Sequence, residues 1–286
     1  MSRIADEFLA LHRELLDEDQ FSPRVARAVA GVAWALQAWF RFRVEGWERV
    51  VDGPCLIVAN HSAAAPLEVA LLLRAWRGRF GQRSARGLAH RIAWQAPFRW
   101  FPLIQWMGGL YAHPRVAGAA LSHGCALLVF PGGDVEATRP FGDRYRIAHD
   151  GREGFVRLAR AAKVPIVPLV LCGSHAAYVV LPGARRFGRR LGVERRFGFK
   201  GYPLTLGSVA AAALLVATIA WPDLWPWLVA TVVQAIVPLP SRIEATVGEP
   251  LVVRDDESDA QAAARVRAQM QAMMDCLAAR RRTPWG

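Results

Sequence analysis

The sequence predicts an α/β fold, a single domain with a mixed, largely parallel sheet flanked by helices. Two observations carry this reading. Between Val44 and Leu171, short runs rich in Val, Leu and Ile (55–59, 126–130 and 165–171) alternate with helical stretches at 67–77 and 152–162, the pattern of strands joined by helical crossovers. The first two runs also end in polar or glycine-rich turns, Asn60-His61-Ser62 and Pro131-Gly132-Gly133-Asp134, before the next helix begins. A chain of 286 residues is long enough to bury a substantial core around such a sheet.

Two helices are predicted ahead of the sheet, over residues 1–43. Ile4, Phe8, Leu11 and Leu15 recur at three-to-four spacing across 4–18, which describes an amphipathic helix. Ser22-Pro23 opens a second helix, with Pro at the first helical position. Its uncharged stretch, Ala28 to Phe40, is too short to cross a bilayer, and Arg24, Arg27, Arg41 and Arg43 flank it. That arrangement suits an element lying in a membrane interface, and equally a helix packed on the domain.

Residues 44–286 form the main domain and contain an apolar insertion at 201–241. A basic loop, 182–200, precedes it with Arg185, Arg186, Arg189, Arg190, Arg195, Arg196 and Lys200, and within the insertion only Asp223 is charged. Two apolar arms flank Trp221-Pro222-Asp223-Leu224-Trp225-Pro226-Trp227, an interfacial turn by composition. A shallow re-entrant hairpin, a two-span hairpin and a buried core segment all fit this pattern. Residues 242–247 then alternate as a strand, and 258–282 read as a charged helix.

Composition narrows the partners. The chain is 53% hydrophobic with a net charge of +12, a pI of about 10.8 and a mean hydropathy of +0.17. Such a balance implies an anionic partner, and eleven tryptophans weigh toward an anionic membrane surface. No nucleic-acid recognition motif is visible. The four cysteines, Cys55, Cys125, Cys172 and Cys276, form no Cys-x-x-Cys pair, so neither a disulfide nor a zinc site is expected. With acidic residues at 6, 7 and 14 and no secretory signal pattern, the domain is expected on the cytoplasmic face of the inner membrane.

His61 is the candidate catalytic residue, a general base at a strand end, with Glu68 as the acid that orients it. Chemistry that begins by activating a hydroxyl needs a group to take its proton. An imidazole can do this, and a carboxylate on its other nitrogen fixes the tautomer. His90, His113, His123, His149 and His175 lack comparable partners in sequence and read as structural.

In this order and at this distance, the Asn60-His61-Ser62 turn and the block Phe130 to Pro140 resemble the glycerolipid acyltransferase family, whose members acylate lysophosphatidate and related alcohols. The family's commonest first motif is a histidine followed five residues later by aspartate. Here Pro66 holds that place, and the chain is similar to a branch in which proline precedes the acid by two residues, with Glu68 replacing aspartate. Phe130-Pro131-Gly132-Gly133 resembles the second signature, Phe-Pro-Glu-Gly, with Gly132 where many members carry glutamate. Residues 151–169 and Gly248-Glu249-Pro250 extend the likeness.

The resemblance implies transfer from acyl-CoA or acyl-carrier protein to a membrane lipid acceptor, with 1-acylglycerol-3-phosphate first and a neutral or specialised glycerolipid second. A catalytically degenerate membrane protein is the remaining alternative. Substrate contacts are expected from Asn60, Ser62, Phe130, Pro131, Gly132, Gly133, Asp134 and Glu136, with Arg139 meeting a phosphate. The chemistry calls for no metal or cofactor beyond the thioester co-substrate.

Overall fold

The computed structural model describes residues 23–62, 65–81, 83–90, 104, 108–192, 195 and 204–286; the helix expected over 4–18 lies outside them. In chain order the described elements are α1 (Pro23–Trp39), β1 (Arg43–Glu45), β2 (Cys55–Ala59), α2 (Ala65–Phe80), β3 (Ala85–Ala89), β4 (Gly109–Tyr111), α3 (Pro114–Ser122), β5 (Ala126–Val129), α4 (Gly133–Ala137), α5 (Gly154–Ala162), β6 (Ile166–Cys172), α6 (Ala184–Arg190), α7 (Leu206–Ala220), α8 (Trp225–Ile236), β7 (Glu244–Val247) and α9 (Asp259–Ala279).

The strands form one sheet ordered β1-β7-β6-β2-β5-β3-β4. Every neighbouring pair is parallel except β6–β7, so the expected mixed, largely parallel sheet is what the chain forms. Strands β2 and β6 are buried at every position, which explains why they read as continuous apolar runs.

Their alternate side chains feed two cores. Leu56, Val58, Ile166 and Val170 meet α3, α5 and α9 on one face, while Cys55, Ile57, Val167 and Leu169 meet Leu71, Leu72 and Trp76 of α2 on the other. Pro168 sits in the middle of β6 without an N–H to offer. The ladder to β7 breaks there: Leu169 pairs with Val247, and pairing resumes only at Ile166 with Leu251. Gly248-Glu249-Pro250 makes the bend between, and the Gly248 N–H bonds the Pro168 carbonyl at 2.8 Å.

Two expectations change. Part of the basic loop is helical, as α6, because arginine is a good helix former and left-handed Gly183 opens the helix. The apolar insertion is not a core segment: α7 and α8 pair with each other, and in α7 only Gly207 is buried. Short strands β1, β3 and β4 escape a pattern reading because three- to five-residue edge segments carry too little periodicity.

Candidate active site

Helix α2, which follows β2, covers one face of the sheet; α5, which follows β5, covers the other. The carboxyl ends of β2 and β5 therefore flank a topological switch point, the place where open α/β sheets leave a crevice for ligands. His61 leaves β2 at this point, the 130–139 block leaves β5, and Ser174-His175 follows the end of β6. Three adjacent strand ends thus converge.

His61 is held on several sides. Its ring stacks on Phe130, centroids 4.4 Å apart at 27°. Its Nδ1 lies 3.4 Å from Glu68 Oε2, within ion-pair reach but long for a formed hydrogen bond. Such contacts in an unliganded site commonly tighten when substrate arrives. The side chain keeps 17% exposure, against none for Glu68, so the imidazole faces the crevice and the acid lies behind it.

Glu68 occupies the first turn of α2 and accepts from the Ser62 hydroxyl at 2.6 Å and the Ser62 N–H at 3.3 Å. Burial pushes its carboxyl up. The His61 contact and charge, then Ser174 and Ser62, outweigh that and hold it below its ordinary value. The pair expected from sequence does come together.

Other expected contacts have different partners. Both ends of the Asn60 amide bond Leu171, donating to its carbonyl at 3.0 Å and accepting its N–H at 2.7 Å, which ties β2 to β6. Ser62 serves Glu68. Asp134 accepts from Arg152 Nη2 at 3.4 Å, and Arg152 Nη1 donates to the Pro131 carbonyl at 3.0 Å. Gly133 has φ +50° and a Cβ there would strike Arg152 Nη1, so the second glycine gives the arginine room.

The largest departure concerns Arg139, which is 6% exposed. Its Nε and Nη2 both point at His175 Nε2, at 2.9 and 2.6 Å, and Nη1 donates to Glu136 Oε1 at 3.4 Å. Arg139 is turned into the protein, toward His175 and Glu136. His175 joins this cluster, and the sequence reading left it out as a structural histidine. Burial, then the Arg139 charge, keeps its imidazole neutral and well below the usual range, opposed by its bond to the His61 backbone. Its only sequence cue was a position just after an apolar strand.

With this geometry in view, residues 41–172 match the family model described as Acyltransferase. The matched stretch contains both His61 and the 130–140 block. Over that stretch the chain is similar to the acyltransferase family. A protein of Mycobacterium tuberculosis is 30% identical over 244 residues, 84% of this chain but 61% of its own length; the chain thus spans less than two thirds of that relative. The human "DGAT1/2-independent enzyme synthesizing storage lipids" is 29% identical over 188 residues, covering 63% of this chain and 56% of its own. Among solved structures, the 1-acyl-sn-glycerophosphate acyltransferase of Thermotoga maritima superposes with a TM-score of 0.54 at 16% identity, over 90% of this chain and 81% of its own. That likeness concerns the fold.

Proposed function

We propose that this acyltransferase moves a fatty acyl group from acyl-CoA or acyl-carrier protein to a glycerolipid hydroxyl, with His61 as general base and Glu68 as its orienting acid. The observation that carries the reading is His61 Nδ1 set 3.4 Å from a fully buried carboxylate at the mouth of the switch-point crevice. The acceptor hydroxyl passes its proton to His61 Nε2 while its oxygen attacks the thioester carbonyl. The tetrahedral oxyanion then collapses, the C–S bond breaks, and the leaving thiolate takes the proton back. Nothing in this sequence needs an enzyme nucleophile. The Ser62 hydroxyl already donates to Glu68, and burial pushes the Cys55 and Cys172 thiols up to about 11.

Two acceptor classes fit the motifs. The commitment of Arg139 to His175 and Glu136 favours an uncharged glycerolipid over lysophosphatidate, since the cation expected to take a phosphate is engaged inside. Relatives named for making storage lipids support the same choice. Purified protein with labelled acyl-CoA and a panel of lysophosphatidate, monoacylglycerol and diacylglycerol tests it. Preference for a neutral acceptor is expected. Preference for lysophosphatidate restores the phosphate reading, and transfer to nothing refutes acyl transfer.

We further propose that the reaction takes place at an anionic membrane surface, on the cytoplasmic face, with the α7–α8 hairpin as anchor. Ile219 is 82% exposed and Trp221, Trp225 and Trp227 are each above 60%. Helices of 15 and 12 residues reach about 22 and 18 Å, short of the ~30 Å hydrocarbon core. No helix among the described residues is long and apolar enough to cross a membrane. That favours a hairpin lying within one leaflet. Trp39 Nε1 donates to the Pro238 carbonyl at 3.1 Å, so exposed Trp34 and Trp39 of α1 extend from the hairpin root. The exposed arginines of α6 supply attraction to anionic headgroups.

A further inference from the structure

Glu136 is fully buried, the penultimate residue of a five-residue helix, in a block where acids were expected to meet substrate. Its carboxylate is engaged at both oxygens. Oε2 accepts the peptide N–H of His61 at 2.9 Å. Oε1 accepts the Ala148 N–H at 3.0 Å and Arg139 Nη1 at 3.4 Å. Arg139 in turn braces His175, whose imidazole feels the His61 backbone among its neighbours. The peptide N–H of the histidine is therefore held from the β5 end, by a carboxylate that is itself tied through Arg139 to His175 after β6.

The neighbouring glycine makes this possible. A Cβ built on Gly132 would strike the Glu136 carboxylate, the Glu136 Cβ and the Ala148 carbonyl. The space a side chain at 132 would fill is occupied by Glu136. Burying a carboxylate is costly unless its lone pairs find donors; here burial pushes the Glu136 carboxyl up, and the Arg139 charge and the peptide N–H groups of Ala148 and His61 offset part of that. Such a group is built for holding, not for exchange with solvent or ligand.

We propose that Glu136 is a positioning residue: with Arg139 and His175 it fixes the backbone of His61, so that Glu68 need only orient the ring. This rests on the acyl-transfer reading for its kinetic arm, and a second readout is independent of it. Glutamine is isosteric but carries a single acceptor oxygen, so it must turn an NH₂ toward either His61 N–H or the Ala148–Arg139 pair. Aspartate keeps both oxygens on a shorter stem.

The experiment measures acyl transfer and amide hydrogen exchange at His61 in the full chain and in Glu136→Gln, Glu136→Ala and Glu136→Asp. A misplacement of about 1 Å costs roughly 10²-fold in rate. Glu136→Ala should therefore lower kcat by about 10²-fold and Glu136→Gln by roughly 10-fold, with KM for donor and acceptor within about twofold. His61 amide exchange should accelerate in both, and Glu136→Asp should recover part of each loss. A rise in acceptor KM at constant kcat, or full kcat in a folded Glu136→Ala protein, overturns the proposal. Should the variants not fold, the wild-type protein still decides: a His61 amide that exchanges as fast as an open loop amide refutes the bond to Glu136. If the wild type transfers to no acceptor, the functional reading fails, and the exchange result stands by itself.

Discussion

Replacing Glu68 by glutamine separates charge from shape at the centre of the site. Glu68 accepts from Ser62 Oγ and Ser62 N and faces His61 Nδ1. Glutamine can place its oxygen at the Oε2 position, where it accepts from Ser62 N–H and from Nδ1–H, provided the Ser62 hydroxyl rotates from donor to acceptor for the new NH₂. The imidazole then keeps the tautomer that leaves Nε2 free as base. What disappears is the negative charge that stabilises the imidazolium, a charge-assisted contact worth about 1.5–3 kcal/mol, or roughly 10- to 10²-fold in rate. Glu68→Ala also strands Nδ1 and the Ser62 hydroxyl, and should approach the 10²- to 10⁴-fold loss expected for His61→Ala. Initial rates with saturating acyl-CoA and acceptor measure this. The carboxyl is held below its ordinary 4.5, so its stabilising contribution is present above that pH and fades as pH falls through the folded value. The melting-temperature gap between wild type and Glu68→Gln should accordingly narrow in acid. A Glu68→Gln enzyme at full rate would show that the acid does not act on His61.

Three other outcomes follow from buried and exposed extremes of the fold. The hairpin roots both attach to 177–181, through Leu206 N–H to Val179, Leu181 N–H to Leu204 and Leu239 N–H to Ala177; excising 208–236 with a short linker should leave the domain folded and release it from vesicles far more than high salt does, whereas unchanged retention removes the hairpin from membrane binding. Neutralising Arg185, Arg186, Arg189 and Arg190 should weaken binding to anionic vesicles only. Burial, aided by Arg267, pulls His149 down to about 4 from 6.5, and neither ring nitrogen meets a partner among the described residues. The unfolded chain binds this proton first, so stability should fall as pH drops from 6.5 toward 4, by roughly 3 kcal/mol in all. In denaturant titrations at pH 7 and pH 4, His149→Leu should lose less than wild type by that order, and equal losses would refute the buried neutral imidazole.

Much of the scaffold is legible in the chain because the central strands are buried on both faces. Cys55–Ala59 and Ile166–Cys172 have no polar position to interrupt the apolar run, so their place in the sheet follows from composition. The same logic finds His61, since a polar Asn-His-Ser turn after such a run must emerge at a strand end. Glu68 is legible because it lies one turn into the helix that follows the turn. The antiparallel β7 is a different matter: its run of 242–247 reads as a strand, but its direction and the break in its pairing at Pro168 appear only when the partner strand is in place.

Arg139 marks where sequence reasoning stops. An arginine beside Glu136 and Pro140, in a block that resembles a phosphate-binding signature, is the natural cation for an acidic acceptor. Direction is what the sequence lacks. The guanidinium turns inward because His175, thirty-six residues on, arrives at the neighbouring strand end as a neutral acceptor, and because Glu136 has already been drawn beneath His61 by the space Gly132 leaves. Each of these residues reads alone as an ordinary structural feature: a glycine in a turn, an acid in a short helix, a histidine after a strand. Only their meeting converts a presumed substrate contact into an internal brace, and that conversion bears directly on substrate choice. An arginine committed to its own histidine is engaged away from any ligand at that position, and that is the ground for proposing an acceptor without a phosphate there.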